Sequence, residues 1–229
     1  DGFEYGGYLS SAFFEWETEY FYTLTPVDAS GNALSDSAES SFSLYYGEGD
    51  IFLGPSVPEC RAIARSYKDL PFSDVTKLLR SRYHEERLIA LFILVHQFQG
   101  GDSTQKQQIY NFYLKSTKYI NNWDLVDSSA DKIVGEYLYL ESLRSDSMRS
   151  REAGDRSKRS AGVRPFQTPE ILLKLAKSPN LWERRIAIIS TYQFIKNGKC
   201  DTTLEIAQIL LSDKHDLIHK AVGWMLREA

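Results

Sequence analysis

One mark recurs four times along the chain and constrains the fold more than anything else in it. A Ser or Asn is followed nine residues later by Ala, at Ser81/Ala90, Asn121/Ala130, Ser178/Ala187 and Ser212/Ala221. A short apolar helical segment precedes each mark, as in "VTKLLRS", "LLKLAKS" and "AQILLS", and a second helical segment starts at it. Successive marks lie 40, 57 and 34 residues apart, near the period of roughly 40–47 residues expected of HEAT or armadillo helix pairs. Such pairs cannot bury their apolar faces alone, so they stack into a continuous core. The expectation is an all-α fold, a HEAT/armadillo-like α-α superhelix of antiparallel helix pairs.

The helical pattern begins at "SVPECRAIARSYKDL", where Ser56 suits an N-cap and a proline falls in the first turn. It is interrupted once, in the long gap of 57 residues, by 144–167, "RSDSMRSREAGDRSKRSAGVRPFQ", with seven basic residues, three acids and almost no apolar side chains. That composition predicts a solvated, mobile insertion, either without a role or acting as an electrostatic handle for phosphate. Residues 1–45 read differently. They are aromatic, Thr-rich, partly alternating and broken by a Gly-Asn pair, which is strand and turn chemistry. "YTLTPVDASGN" resembles the closing hairpin of a fibronectin type III domain, and a hairpin alone is marginal. This segment is read as a fragment of another domain, a fusion junction or an assembly error, and 46–229 as the helical-repeat domain.

With 42% apolar residues in 229, the chain has ample material for a core. Its longest apolar run, "LIALFILV" at 88–95, is eight residues, far short of the roughly 20 that span a bilayer. Two cysteines, Cys60 and Cys200, stand 140 positions apart with no C-x-x-C spacing, which argues against a zinc knuckle or disulfide framework and suits a reducing compartment. The net charge of -4 hides an asymmetry. Residues 1–60 hold eleven of the 31 acids and no Lys or Arg, so all 27 basic residues face 20 acids in 61–229. The helical part is basic and points to a polyanionic partner.

Near the starts of second helices, Trp123, Asp127, Arg185 and, further along, Trp224 are candidate functional residues drawn from three repeats. Each has an ordinary structural reading. Tryptophans pack, Asp127 could cap the helix after "SSA", and an arginine of "WERR" could pair with Glu183 or a neighbouring acid. Trp123 and Asp127 are four apart and so share one helix face, an unusual placement for an aromatic ring and a carboxylate in an otherwise apolar segment.

The blocks "YGEGDIFLG", "SRYHEERLIALFILVHQF", "IYNFYLKSTKYINNWDLVDSSADKIVGEYL", "LWERRIAIISTYQFI" and "SDKHDLIHKAVGWMLRE" resemble, in order, the AlkD-like DNA alkylation repair family, helical-repeat DNA glycosylases. The resemblance covers most of 46–228 apart from the Arg/Ser insertion. It implies hydrolysis of the N-glycosidic bond of cationic alkylated purines, such as N3-methyladenine or N7-methylguanine, in duplex DNA. It also implies that Asp127 is the catalytic carboxylate, that Trp123 and Trp224 flank the damaged nucleotide, and that Arg185 lies near the DNA backbone. Arg184, His219 and Lys220 join the expected DNA-binding set. The family is understood to act on a nucleotide still stacked in the duplex, where most glycosylases flip it out. Two departures accompany the match: the strand-like segment stands where a helical pair normally precedes "YGEGD", and the family pattern continues for a further helix pair, so the domain is expected to be C-terminally truncated.

The chemistry is consistent with those residues. Glycosidases commonly need one carboxyl group to protonate the leaving group and another to stabilise or attack the sugar cation. A purine with a fixed positive charge already leaves readily, so a single carboxylate opposite the developing oxocarbenium ion suffices. Electron-rich Trp faces attract the cationic base, at about 0.5–2 kcal/mol per ring. No cofactor or metal is expected, and the partner is double-stranded DNA carrying alkylated bases, met by a cytoplasmic, bacterial, nucleoid-associated monomer that engages no membrane. Two rivals stand beside this reading. One is a non-catalytic HEAT-like scaffold for nucleic acid or protein, against which the presence of Asp127 speaks. The other is a zinc site at "HDLIH", which mimics H-E-x-x-H but has Asp for Glu and no evident third ligand.

Overall fold

The structure, a computed structural model, describes residues 50–152 and 167–229. The expected strand-like segment 1–45 lies outside these residues. The described chain is helical: α1 (Val57–Ser66), α2 (Phe72–Leu79), α3 (His84–Gly100), α4 (Ser103–Lys115), α5 (Trp123–Asp127), α6 (Glu136–Glu152), α7 (Glu170–Ala176), α8 (Leu181–Ser190), α9 (Tyr192–Ile195), α10 (Asp201–Leu210) and α11 (Asp216–Glu228). A 3₁₀ turn (Thr117–Tyr119) precedes α5, and a π-helical turn (Asp131–Gly135) joins it to α6. Among the described residues the sole β pairing is an isolated bridge between Ile51 and Tyr83.

The repeat marks announce the second helices. Residues 81, 121, 178 and 212 are followed within two to four positions by the starts of α3, α5, α8 and α11. These second helices pack on one another in order, α3 on α5 and the π-helical turn, those on α8, and α8 on α11. Helices α2, α4, α7 and α10 flank this spine, and α1 packs on α3. A helix enclosed by neighbours is apolar on all its faces. Accordingly α3 buries Leu88, Leu91, Ile93, Leu94 and Phe98 together, which accounts for the eight-residue apolar run.

Local chemistry fixes the ends. The Ser56 backbone N–H and hydroxyl both donate to the Glu59 carboxylate at 2.7 Å, and Asp102 and Asn180 accept from Gln105 and Trp182 backbone N–H groups. Prolines 71 and 169 directly precede α2 and α7. The π-helical turn lies so close to α8 that a Cβ at Gly135 would stand 2.4 Å from the Ser190 carbonyl oxygen. Only glycine permits that approach.

The first part of the expected mobile insertion is helical. Helix α6 runs to Glu152, so 144–152 are helical, while 153–166 lie outside the described residues. Arg144 pairs with Glu141 one turn back, and the Ser147 hydroxyl donates to the Leu143 carbonyl. These local bonds extend the helix without apolar burial. Among the described residues no helix is long and apolar enough to cross a membrane.

Candidate active site

Short bonds between successive repeats draw the starts of the second helices into one row. Arg80 lies over the Tyr119 ring at 5.7 Å, the Thr117 hydroxyl donates to Glu183 at 2.8 Å, and Arg184 donates to Asp213 at 2.6 Å. The candidate residues of α5, α8 and α11 therefore sit on neighbouring turns.

Helix α5 is a single turn that exposes one side. Leu125 and Val126 are fully buried, whereas Trp123, Asp124 and Asp127 keep part of their surface open. Beneath it, the Ser129 hydroxyl donates to the Leu125 carbonyl at 2.6 Å and is bonded to the Tyr113 hydroxyl at 2.9 Å. The π-helical turn follows at once. Such turns re-aim the residues around them and are frequent at functional sites.

Asp127 is gripped by Arg185 in a two-point fork, Nε to Oδ1 at 2.8 Å and Nη2 to Oδ2 at 2.7 Å. The third edge of the guanidinium donates to the Leu217 carbonyl in the first turn of α11. Arg185 is only 5% exposed. The structure thus turns it toward Asp127 and Leu217, not outward. Burial pushes the Asp127 carboxyl above its ordinary value, Arg185 opposes that, and Asp124 and Asp131 add to it, with the net direction upward. The Asp127 side chain nevertheless remains 17% exposed, and each oxygen keeps a second lone pair for a ligand.

The remaining candidates divide. Trp224 is half-buried, its indole N–H donating to Glu228 at 3.3 Å and its ring 6.4 Å from that of Tyr192. Arg184 is committed to Asp213 and to the carbonyls of Ser178 and Pro179. Glu183, a possible arginine partner on sequence grounds, accepts instead from Thr117 and Ser178. His219 and Lys220 are exposed; the His219 Nε2 meets the Asp213 carbonyl, and Lys220 lies 3.5 Å from Asp216. His215 caps α11 by accepting from the Leu217 N–H at 3.2 Å. Among the described residues, no group of three or more His, Cys, Asp or Glu could hold a metal ion.

A second cluster adjoins Trp123. His84, at the start of α3, is bonded through Nδ1 to Asp50 at 2.9 Å and through Nε2 to Asp124 at 2.6 Å. Asp50 also accepts from Arg87 and, at 2.9 Å, from Asn122. Burial alone would lower the His84 pKa, but the two carboxylates outweigh it and raise the value to about 9. Burial would raise that of Asp50, and the bonds from His84, Asn122 and Arg87 hold it well below the usual range. Next along α3, Glu85 accepts from the Leu53 and Gly54 backbone N–H groups at 2.9 Å, with Gly54 at a φ of 99° that only glycine adopts without strain. The segment before α1 is thus clipped to α3. The blocks "YGEGDIFLG" and "HEER" contain most of these residues, but nothing in their wording pairs positions 31 or more apart.

Residues 32–229 match the family described as DNA alkylation repair enzyme. The chain belongs to the DNA alkylation repair family. In fold it is similar to a solved structure, "Predicted DNA alkylation repair enzyme from Enterococcus faecalis", with a TM-score of 0.54 and 17% identity over 80% of this chain and 77% of that one. No curated protein matches the chain. Family membership places the helical stack among DNA alkylation repair enzymes, and the all-α expectation agrees with the described fold.

Proposed function

We propose that the protein is a DNA glycosylase that releases cationic N3- or N7-alkylated purines from duplex DNA, with Asp127 as its catalytic carboxylate. The observation that carries this reading is the Asp127 site itself: a partly open, desolvated carboxylate held rigidly by Arg185, four residues from Trp123, in a chain of this family. In the reaction the N-glycosidic electron pair moves onto the cationic purine, which departs neutral. Positive charge then appears on the sugar, and water adds at C1′ to leave an abasic site and release a proton. A carboxylate partly withdrawn from water and fixed in place attracts that charge strongly and needs little reorganisation. Trp123, and Trp224 from the next stretch of the row, supply faces for the cationic base.

The DNA backbone would follow the turns. Arg80, Lys118, Lys177 and Lys214 are exposed and fall one to each turn between paired helices. Lysines and arginines at helix C-termini also complement the helix dipole, so their regular placement serves both purposes. Single-turnover release of 7-methylguanine from methylated duplex DNA, with Asp127→Asn at equal DNA occupancy, tests the reading. A fall of about 10²–10³ is expected on losing one electrostatic stabiliser. Equal release by both proteins removes Asp127 from the chemistry, and DNA binding without release by either supports the scaffold alternative.

A further inference from the structure

We propose that His84, held between Asp50 and Asp124, is a positioning residue that sets the placement of Trp123 and, through the one-turn helix α5, of Asp127. The catalytic part of this inference rests on the glycosylase reading, while its geometric part does not. Asn122 and Asp124 are the chain neighbours of Trp123 on either side, and both are tied to the same anchor. Asn122 donates to Asp50 at 2.9 Å, and Asp124 is bonded to His84 at 2.6 Å. The anchor is firm: His84 and Asp50 side chains are 4% and 6% exposed, Arg87 binds the far side of Asp50, and the Phe52 ring lies 4.8 Å from the imidazole.

A helix of five residues has little cooperativity of its own, so its orientation depends on such external bonds. On its C-terminal side it is held by the Asp127–Arg185 fork, and on its N-terminal side by this cluster. A single buried carboxylate would have fixed one neighbour of Trp123. The imidazole, bridging two carboxylates with its two nitrogens, joins α3, α5 and the segment before α1 in one network.

The bridge needs both ring nitrogens to donate, so it exists only while the imidazole is charged. The charged groups around it are Asp50 and Asp124 in contact, Arg87 behind Asp50, and Glu85 beside it on α3. From α1, the Cys60 thiol is pushed up to about 11 by burial first and then by the nearby Glu85 and Asp124 carboxylates. Loss of the imidazolium proton near pH 9 removes one of the two donated bonds.

Fluorine NMR of the full chain labelled with 5-fluorotryptophan, with Trp123 assigned by Trp123→Phe, reads this directly. The Trp123 resonance is expected to move with a midpoint near pH 9, and in His84→Gln to be displaced and independent of pH between about 7 and 10. Base release by that variant should fall by about tenfold to a hundredfold at equal DNA occupancy. An identical Trp123 resonance in the wild-type and His84→Gln chains across that range overturns the proposal. Should His84→Gln lack a cooperative melt, Asp124→Asn replaces it; a midpoint shifted below that of the wild type supports the inference, and an unshifted one overturns it. If the resonance behaves as expected but the wild-type chain releases no base, the glycosylase reading fails while the positioning role stands.

Discussion

The charged His84 makes a stability prediction that can be worked through. Its folded pKa is about 9 and its ordinary value 6.5. A group whose folded pKa is raised contributes stability that is complete below the unfolded value and disappears as pH rises through the folded one. Here the full contribution, about 3 kcal/mol, is present below pH 6.5 and gone above about 9. Between pH 7 and 9 the loss amounts to about 2 kcal/mol, and burial of the side chain leaves little room for solvent to screen it. Urea unfolding at several pH values in this window should show the midpoint falling with the slope in urea unchanged. The Cys60 thiol, ordinarily titrating at 9.0 and held up to about 11 by burial, destabilises in the same direction but only above the window. His84→Gln should abolish most of the decline. A flat stability profile from pH 7 to 9, or an equal decline in His84→Gln, would refute the assignment of a charged imidazole to this cluster.

Four further outcomes follow. Gly135→Ala should lower stability by about 1–3 kcal/mol in a thermal or urea melt, because its new methyl group meets the Ser190 carbonyl at 2.4 Å. Base release at saturating DNA should decline on acidification at a pH above the ordinary aspartate value of 3.8, since burial raises the Asp127 pKa and, in the proposed reaction, only the ionised form would stabilise the sugar cation; a rate unchanged down to that pH would contradict the proposed role. Lys118→Ala and Lys177→Ala should each reduce the slope of log affinity against log salt by about one. Arg184→Ala, whose donors all serve Asp213 and two carbonyls, should instead cost about 1–3 kcal/mol of stability with little change in that slope.

What could be read in advance follows the range of the interactions. The recurring Ser or Asn with its Ala located every second helix to within a few residues, because capping and apolar spacing are written locally. The pairing of Trp123 and Asp127 on one face likewise needs only the helical period. Arg185 was a different matter. Its fork to Asp127 closes 58 positions of chain and its bond to Leu217 another 32, and the sequence offered Glu183 as an equally good partner. His84 and Asp50 carry no local signal of a functional role for the same reason, since their chemistry arises only when α3, α5 and the segment before α1 meet. The helical beginning of the Arg/Ser stretch shows the opposite failure. Composition without apolar residues argued for loop, while i,i+3 contacts such as Glu141 with Arg144 were enough to carry α6 onward.

Stacks of helix pairs are ordinarily modular: each repeat feels only its neighbours, and terminal units can fray while the middle stays folded. Arg185 departs from that economy. One guanidinium on α8 closes on a carboxylate of the preceding repeat and a backbone carbonyl of the following one, so the three repeats share a single polar lock. Opening of the last pair, α10 and α11, would strip a partner from Arg185 and loosen its hold on Asp127. In hydrogen exchange α5 and α11 would then open as one unit, and the Asp127 carboxylate would report the integrity of a helix to which it is joined through Arg185.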